Sequence, residues 1–368
     1  MNSILLRRLS VAMIVSLPLP ALSHDWHWHA ADPVNESPSA AGSPPERIRS
    51  GVARYTLANF TTESSDTLKP AIAAHFEHFG RVKVRWNDTH LIIESDGLPE
   101  HNMMVGIRSW QQQVPLPQPF TGANAWQVPL KPRLALEPIS AKRTPMRGAI
   151  ALAVNGVPMF SPLNNRGEDA FLAGELDRWG GHCGRGDDYH YHAAPVHLEA
   201  IVGKGNPIGF ALDGFPIYGL TEPDGSAVGK LDELNGQFDR DGNYHYHATK
   251  TYPYINGGLR GVVTLQGDQI VPQPRDAPVR PAMRPLRDAV ITDFSTTGSR
   301  SVLTYRIRNQ IGTVSFSPDG DNAFQFNYRE PSGRSWTEVY QRRNANERGG
   351  RRPQPRDGSR PPPPRPRR

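Results

Sequence analysis

Residues 180–197 read GGHCGRGDDYHYHAAPVH, and Tyr-His-Tyr-His returns 55 positions later, from Tyr244, in GQFDRDGNYHYHATKTYPY. The chain has only 13 His and 11 Tyr in 368 residues, so two copies of this tetrapeptide need a cause. Neutral imidazole is a common ligand for transition-metal ions. In a strand, residues i and i+2 share a face. His190 and His192 therefore share one face and Tyr189 and Tyr191 the other, and His245 and His247 stand in the same relation to Tyr244 and Tyr246. Two imidazoles about 6.5–7 Å apart along a strand can converge on one ion. His182, across the Gly-rich CGRGDD loop, can fold back as a further ligand. The expected centre thus draws on His182, His190, His192, His245 and His247. It suits a divalent ion, zinc or copper first and iron also. The two strands either share one ion or hold separate ones. Such a protein is either a metal-dependent enzyme acting on an unidentified substrate or a non-catalytic metal binder. The alternative from another class is a surface or carbohydrate-binding β module whose Tyr, Trp and His form a contact face. Protonation of imidazole predicts release of the metal as pH falls below about 6.

Acidic residues flank the same strands. Asp187 and Asp188 in the first copy, and Asp239 and Asp241 in the second, either accept hydrogen bonds from ligand imidazoles or simply form turns. DRDGN has part of a calcium-loop pattern, but no Glu follows at the required spacing. Asn155 and Asp213 hold equivalent places in two hairpin turns, and Asp213 is also a candidate for facing a substrate. Cys183, the only cysteine, is either a thiolate ligand or nucleophile or an inert buried thiol. No phosphate-binding Gly loop, Gly-x-Ser-x-Gly elbow or zinc-protease helix motif occurs, which argues against common kinases and hydrolases.

The elements that must position these groups are written twice. IALAVNGVPMF at 150–160 matches IGFALDGFPIY at 208–218, and LDRWGGHCGRGDDYHYHA at 176–193 matches LDELNGQFDRDGNYHYHA at 231–248. Asn-Gly and Asp-Gly between apolar runs are hairpin signals. The fold class expected is mainly β: a duplicated β-rich core with a pseudo-two-fold repeat, a small C-terminal antiparallel sheet and a disordered tail. The domain spans 51–272, with repeats at about 148–197 and 206–265. Upstream, RVKVRW and HLIIES flank NDT as a hairpin, and LKPAIAAHFEHF is one short helix. The runs VLTYRIR, TVSFS, AFQFNYRE and WTEVYQRR alternate as strands of a module at 285–345, beyond a Pro/Arg-rich boundary.

The two ends differ from the body. Arg7 and Arg8 precede an apolar, proline-broken run of signal-peptide length, and Ala21-Leu22-Ser23 fits a cleavage site. Residues 1–23 are therefore read as a signal peptide, with a secreted or periplasmic mature chain lacking a transmembrane segment. Cleavage there exposes His24, whose amine and imidazole together can chelate copper. Residues 24–50 are a disordered His/Pro/Ser-rich leader. The tail, 346–368, carries eight Arg and two acids; removing these from the 42 basic and 36 acidic residues leaves 34 of each. The net charge of +6 thus belongs to the tail, which suits contact with anionic surfaces and gives no sign of specific nucleic-acid binding.

Five segments together, LAVNGVPMFSP, GGHCGRGDDYHYHAAP, IGFALDGFPIYG, LDELNGQFDRDGNYHYHATKTYPY and GGLRG, resemble the YHYH-domain family of exported proteins. SDGLPEH, ending at His101, is similar to that family's Gly-x-Pro-x-His stretch and makes His101 a further candidate at the site. The resemblance implies export and no particular reaction. One departure is Gln237, where a second His equivalent to His182 would complete the symmetry.

Overall fold

The structure, a computed structural model, describes residues 68–142 and 146–342. The expected signal segment, His24, the expected leader and the Arg/Pro tail lie outside these residues. All described residues fall in one compact unit and the chain is mainly β.

An upstream sheet contains β1 (Lys83–Trp86), β2 (His90–Glu94) and β3 (Trp126–Pro129), all antiparallel. The expected hairpin across NDT is β1–β2. The expected helix is a single turn, Ala73–Phe76, which buries Ala73 and Phe76. Strand β4 (Leu134–Ser140) follows and pairs with a later strand.

The first repeat supplies β5 (Ala149–Ala153), β6 (Pro158–Phe160), β7 (Gly181–Cys183) and β8 (Tyr189–Tyr191). The second supplies β9 (Gly209–Ala211), β10 (Pro216–Tyr218), β11 (Gly236–Phe238) and β12 (Tyr244–His247). All eight form one sheet in the order β11-β12-β10-β9-β5-β6-β8-β7. The order has the same form from both ends. At its middle β5 and β9 run antiparallel with Leu152 opposite Phe210. These two are equivalent in the repeat alignment, so the pseudo-two-fold axis passes between them, perpendicular to the sheet. Every residue of β5 and β9 is buried, the pattern of strands covered on both faces. The β9–β10 turn needs Gly214: its φ is +95°, and a Cβ there would stand 2.8 Å from the Pro129 carbonyl oxygen.

An axis perpendicular to the sheet leaves both repeats facing the same way. Tyr191, Met159, Ala151 and Ala211 follow one another through the ladder on one face, and Gly209, Ile217 and Tyr246 continue it on the same face. His190, His192, His245 and His247 occupy the opposite face, with Phe160 and Tyr218 beside them.

Beyond β12, β13 (Gly258–Gly261) pairs with β4, and β14 (Thr264–Gln266) forms a hairpin with β15 (Gln269–Val271). The C-terminal sheet is a meander of β16 (Ala289–Thr297), β17 (Arg300–Ile307), β18 (Gln310–Pro318), β19 (Ala323–Arg329) and β20 (Ser335–Gln341). It has one strand more than the four quoted runs, because 289–297 also alternates. Its core joins that of the segment upstream of the repeats: Tyr305 packs 5.2 Å from Trp110, and the Ile291 backbone pairs with Gly106 and Ile107. The Pro/Arg-rich segment before it packs on the first repeat through Arg280.

Candidate metal centre

The tyrosines of the repeated tetrapeptide hold turns. Tyr189 Oη donates to Asp177 at 2.8 Å, and Tyr244 Oη donates to the equivalent Asp232 at 2.8 Å. Each carboxylate also caps its own loop, Asp177 accepting from Trp179 and Gly181, and Asp232 from Leu234 and Gly236. The glycine that each of these rings lies across must be bare. A Cβ on Gly181 would stand 2.4 Å from Tyr189 Oη, and one on Gly236 would stand 2.0 Å from Tyr244 Oη. The second tyrosine of each copy reaches the hairpin turn: Tyr191 Oη accepts from Asn155 Nδ2 at 3.1 Å, and Tyr246 Oη donates to Asp213 at 2.6 Å. Tyr246→Phe should leave buried Asp213 and the Arg260 N–H each short of a partner, costing about 1–3 kcal/mol. A urea midpoint within error of wild type would show the hydroxyl to be dispensable.

With the tyrosines anchored, the histidines converge. Nε2 of His192 lies 3.2 Å from Nε2 of His190 and 3.1 Å from Nε2 of His182. These contacts are not ordinary hydrogen bonds. His192 Nδ1 faces the Ser161 carbonyl and His190 Nδ1 the Asp188 carbonyl at 3.0 Å. A carbonyl only accepts, so each Nδ1 carries the proton and each Nε2 presents a lone pair. Two lone pairs facing each other repel, and a cation between them reverses the sign. The spacing fits one: two ligands each about 2.0–2.1 Å from a tetrahedral ion stand about 3.3 Å apart. His190 and His192 are buried and His182 is half-buried. Burial, then the charge of His190, holds His192 neutral down to about 3. Burial also pushes His182 well below the usual imidazole range, with His190 and His192 adding to it. Phe160 stacks on His190 with ring centroids 4.0 Å apart and closes one side.

The second repeat differs where the sequence departs. His245 and His247 are buried side by side, with His247 Nδ1 facing the Gly219 carbonyl at 3.2 Å, the counterpart of Ser161. Gln237 stands opposite His245. The third group near these imidazoles is Glu222, whose Oε2 lies 3.4 Å from His245 Nε2 and 3.3 Å from His247 Nε2. The two clusters are separated by five strand steps of about 4.8 Å, roughly 24 Å along the sheet, so the five histidines do not meet at one ion.

The remaining candidates fall elsewhere. Asp188 touches the imidazole cluster, its Oδ2 3.3 Å from His190 Nδ1. Asp187 points away and pairs with Arg280. Asp213 is buried under Tyr246 and the Gly261 N–H, so it holds structure rather than facing solvent. Asp239 and Asp241 sit in an exposed turn that Asp239 caps through the Asp241 and Asn243 N–H groups. His101 Nε2 accepts from Tyr191 Oη at 2.8 Å, and its ring stacks on Trp179, on the face away from the imidazole cluster. Cys183 is buried on that same far face, away from the imidazoles, and burial pushes its thiol well up. Sequence reasoning missed Glu222, Asp177 and Asp232. The matched Leu-Asp segments carried a signal for the last two; Glu222 has no acidic counterpart, because the equivalent position is Asn164.

No curated protein and no solved structure matches the chain. No helix among the described residues is long and apolar enough to cross a membrane. Residues 125–226 match one family model, described as YHYH protein. That span runs from β3 through β10, takes in His182, His190 and His192, and stops short of β11 and β12: over these residues the chain carries a YHYH domain.

Proposed function

We propose that the protein is an exported metal protein whose first repeat holds a divalent ion on His182, His190 and His192. The observation that carries this reading is the approach of His182 and His190 Nε2 to His192 Nε2 at 3.1 and 3.2 Å, with ligand atoms of all three within 4.8 Å of one another and the Nδ1 atoms of His190 and His192 turned to backbone carbonyls. Carbonyl-bound Nδ1 atoms fix ring orientation and tautomer, as ligand imidazoles require. Burial of His190 and His192 argues against the contact-face alternative, because a partner surface cannot reach them. Export rests on the N-terminal sequence.

The donor set is three neutral nitrogens, which suits zinc or copper and accommodates iron. A three-His ion keeps an open position, where such a metal supplies Lewis acidity or an activated water. Around it this chain's residues hold rather than react. Ser161 and Asp188 orient the rings, Phe160 shields His190, and half-buried His182 marks the open side. Catalysis on this arrangement requires a substrate to approach past His182.

His182→Gln tests the reading. Glutamine keeps the size but is a poor ligand, so the purified variant should lose about one metal equivalent per chain, with affinity down by more than the roughly 10–100-fold typical of supporting residues. Metal-free wild-type protein, with a melting temperature unmoved by chelator or added zinc, would overturn it.

A further inference from the structure

We propose that the second Tyr-His-Tyr-His strand holds its own divalent-metal site, completed by Glu222 and chemically harder than the first. This rests on the proposed three-His centre, with its logic carried to Gln237, His245 and His247, which lie outside the family match, and to Glu222, which lies inside it. His245 Nε2 is buried without a hydrogen-bond partner, on a side chain only 6 % exposed, and it points at Glu222 Oε2. His247 Nε2 faces the same oxygen at 3.3 Å, while its Nδ1 is turned to the Gly219 carbonyl. With Nδ1 donating, His247 Nε2 and the carboxylate oxygen are two acceptors in contact, and a cation between them removes the conflict. The spacings of 3.3 and 3.4 Å again suit ligands about 2.0–2.1 Å from one ion.

Gln237 takes a supporting place. Its Nε2 donates to Glu222 Oε1, leaving Oε2 free to face the imidazoles. The position equivalent to His182 thus orients the carboxylate of Glu222. Glu222 has room to do so because it lies in the loop after β10, its side chain 17 % exposed. The ligand set is two imidazoles and one carboxylate, against three imidazoles in the first repeat. A carboxylate favours divalent ions that accept oxygen, such as Fe(II), Mn(II), Co(II) or Zn(II), over soft Cu(I). The two-fold sheet therefore carries two sites of unlike chemistry. The competing occupant is a proton: a charged histidine paired with Glu222 would need no metal.

Cobalt(II) is the probe, added anaerobically to full-length metal-free protein and followed by absorbance and equilibrium dialysis. Wild type should bind two ions per chain. Glu222→Gln, which preserves shape and the contact to Gln237, should bind one. His182→Gln should also bind one, and the pair of changes none. Gln237→Ala should retain two, with one weakened about 10–100-fold. Circular dichroism on each variant checks the fold. One ion in wild type, lost in His182→Gln and untouched by Glu222→Gln, overturns the second site while the first stands. One ion lost only in Glu222→Gln supports the second site and removes the first. No cobalt binding in folded wild type overturns both and leaves a proton-bridged pair.

Discussion

Replacing Arg280 by Met should lower stability by about 3–5 kcal/mol, the cost of stranding one member of a buried ion pair. The guanidinium is buried and donates from Nε to Asp187 Oδ2 at 2.7 Å and from Nη2 to Asp187 Oδ1 at 2.8 Å. It also reaches the Gln112 carbonyl through Nη2 and Tyr328 Oη at 3.0 Å through Nη1. One residue thus joins the turn before the first Tyr-His strand to β19 of the C-terminal sheet. Asp187 is itself buried, sits at φ +59°, and accepts the Val114 N–H. Its next neighbour, Asp188, holds the ring of His190. Losing Arg280 should therefore loosen the proposed three-His site as well as the sheet contact. Urea denaturation measures the first effect. The double variant Asp187→Asn/Arg280→Met should recover part of the loss, because no charge remains buried. A single-variant loss under about 1 kcal/mol would mean that water reaches Asp187 and that the pair does not tie the two sheets.

The fold was legible where the code is local. The duplicated runs, the Asn-Gly and Asp-Gly turns and the alternation of 301–341 each specify strands through near neighbours, and the sheets follow. The pairing of His190 with His192 was legible because period-two alternation fixes a face. What could not be read is set by distances across the chain. The separation of the two clusters depends on β5 pairing with β9, which places the repeats back to back and drives both Tyr-His strands outward. Glu222 was hidden for another reason. It breaks the repeat, and similarity between copies points only to what they share. Adjacency in sequence offers Asp187 to the imidazoles or to a turn, yet its left-handed backbone turns the carboxylate toward Arg280, 93 positions on. The short element at Ala73–Phe76 fell below expectation because one turn lacks the length that makes helices self-sustaining.

Burial changes the pH at which the first site should empty. An exposed imidazole titrates near 6.5, which is the basis for expecting release below about 6. His192 is instead held neutral to about 3, chiefly by burial, and His182 is pushed well down for the same reason. In the folded protein, protons therefore compete poorly with the metal at pH 5. Stability carries the cost. Between about 3 and 6.5 the unfolded chain binds protons that the folded chain refuses, so stability is full above about 6.5 and falls as pH drops through that window. His101, lowered to about 4, and His197, lowered to about 3, act in the same direction, burial being the main cause in each. Asp177, raised to about 6 by burial, opposes them between about 4 and 6, because there the folded state holds the extra proton. Asp96, Glu199, Asp213 and Asp276 are raised by burial in the same sense as Asp177, while His75 and His247 are lowered like the other imidazoles; six imidazoles against five carboxylates leave acid destabilising the protein overall. Bound metal adds to this: at a thousandfold excess over Kd it contributes about 4 kcal/mol, or about 8–16 °C in Tm for a body of this size. Dialysis at pH 7.5, 5 and 3.5, with metal analysis and circular dichroism on each sample, should find metal retained at pH 5. At pH 3.5 metal and fold should be lost together. Metal released at pH 5.5 from a protein that stays folded would show the imidazoles to be solvated, and the buried three-His centre would fall with that result.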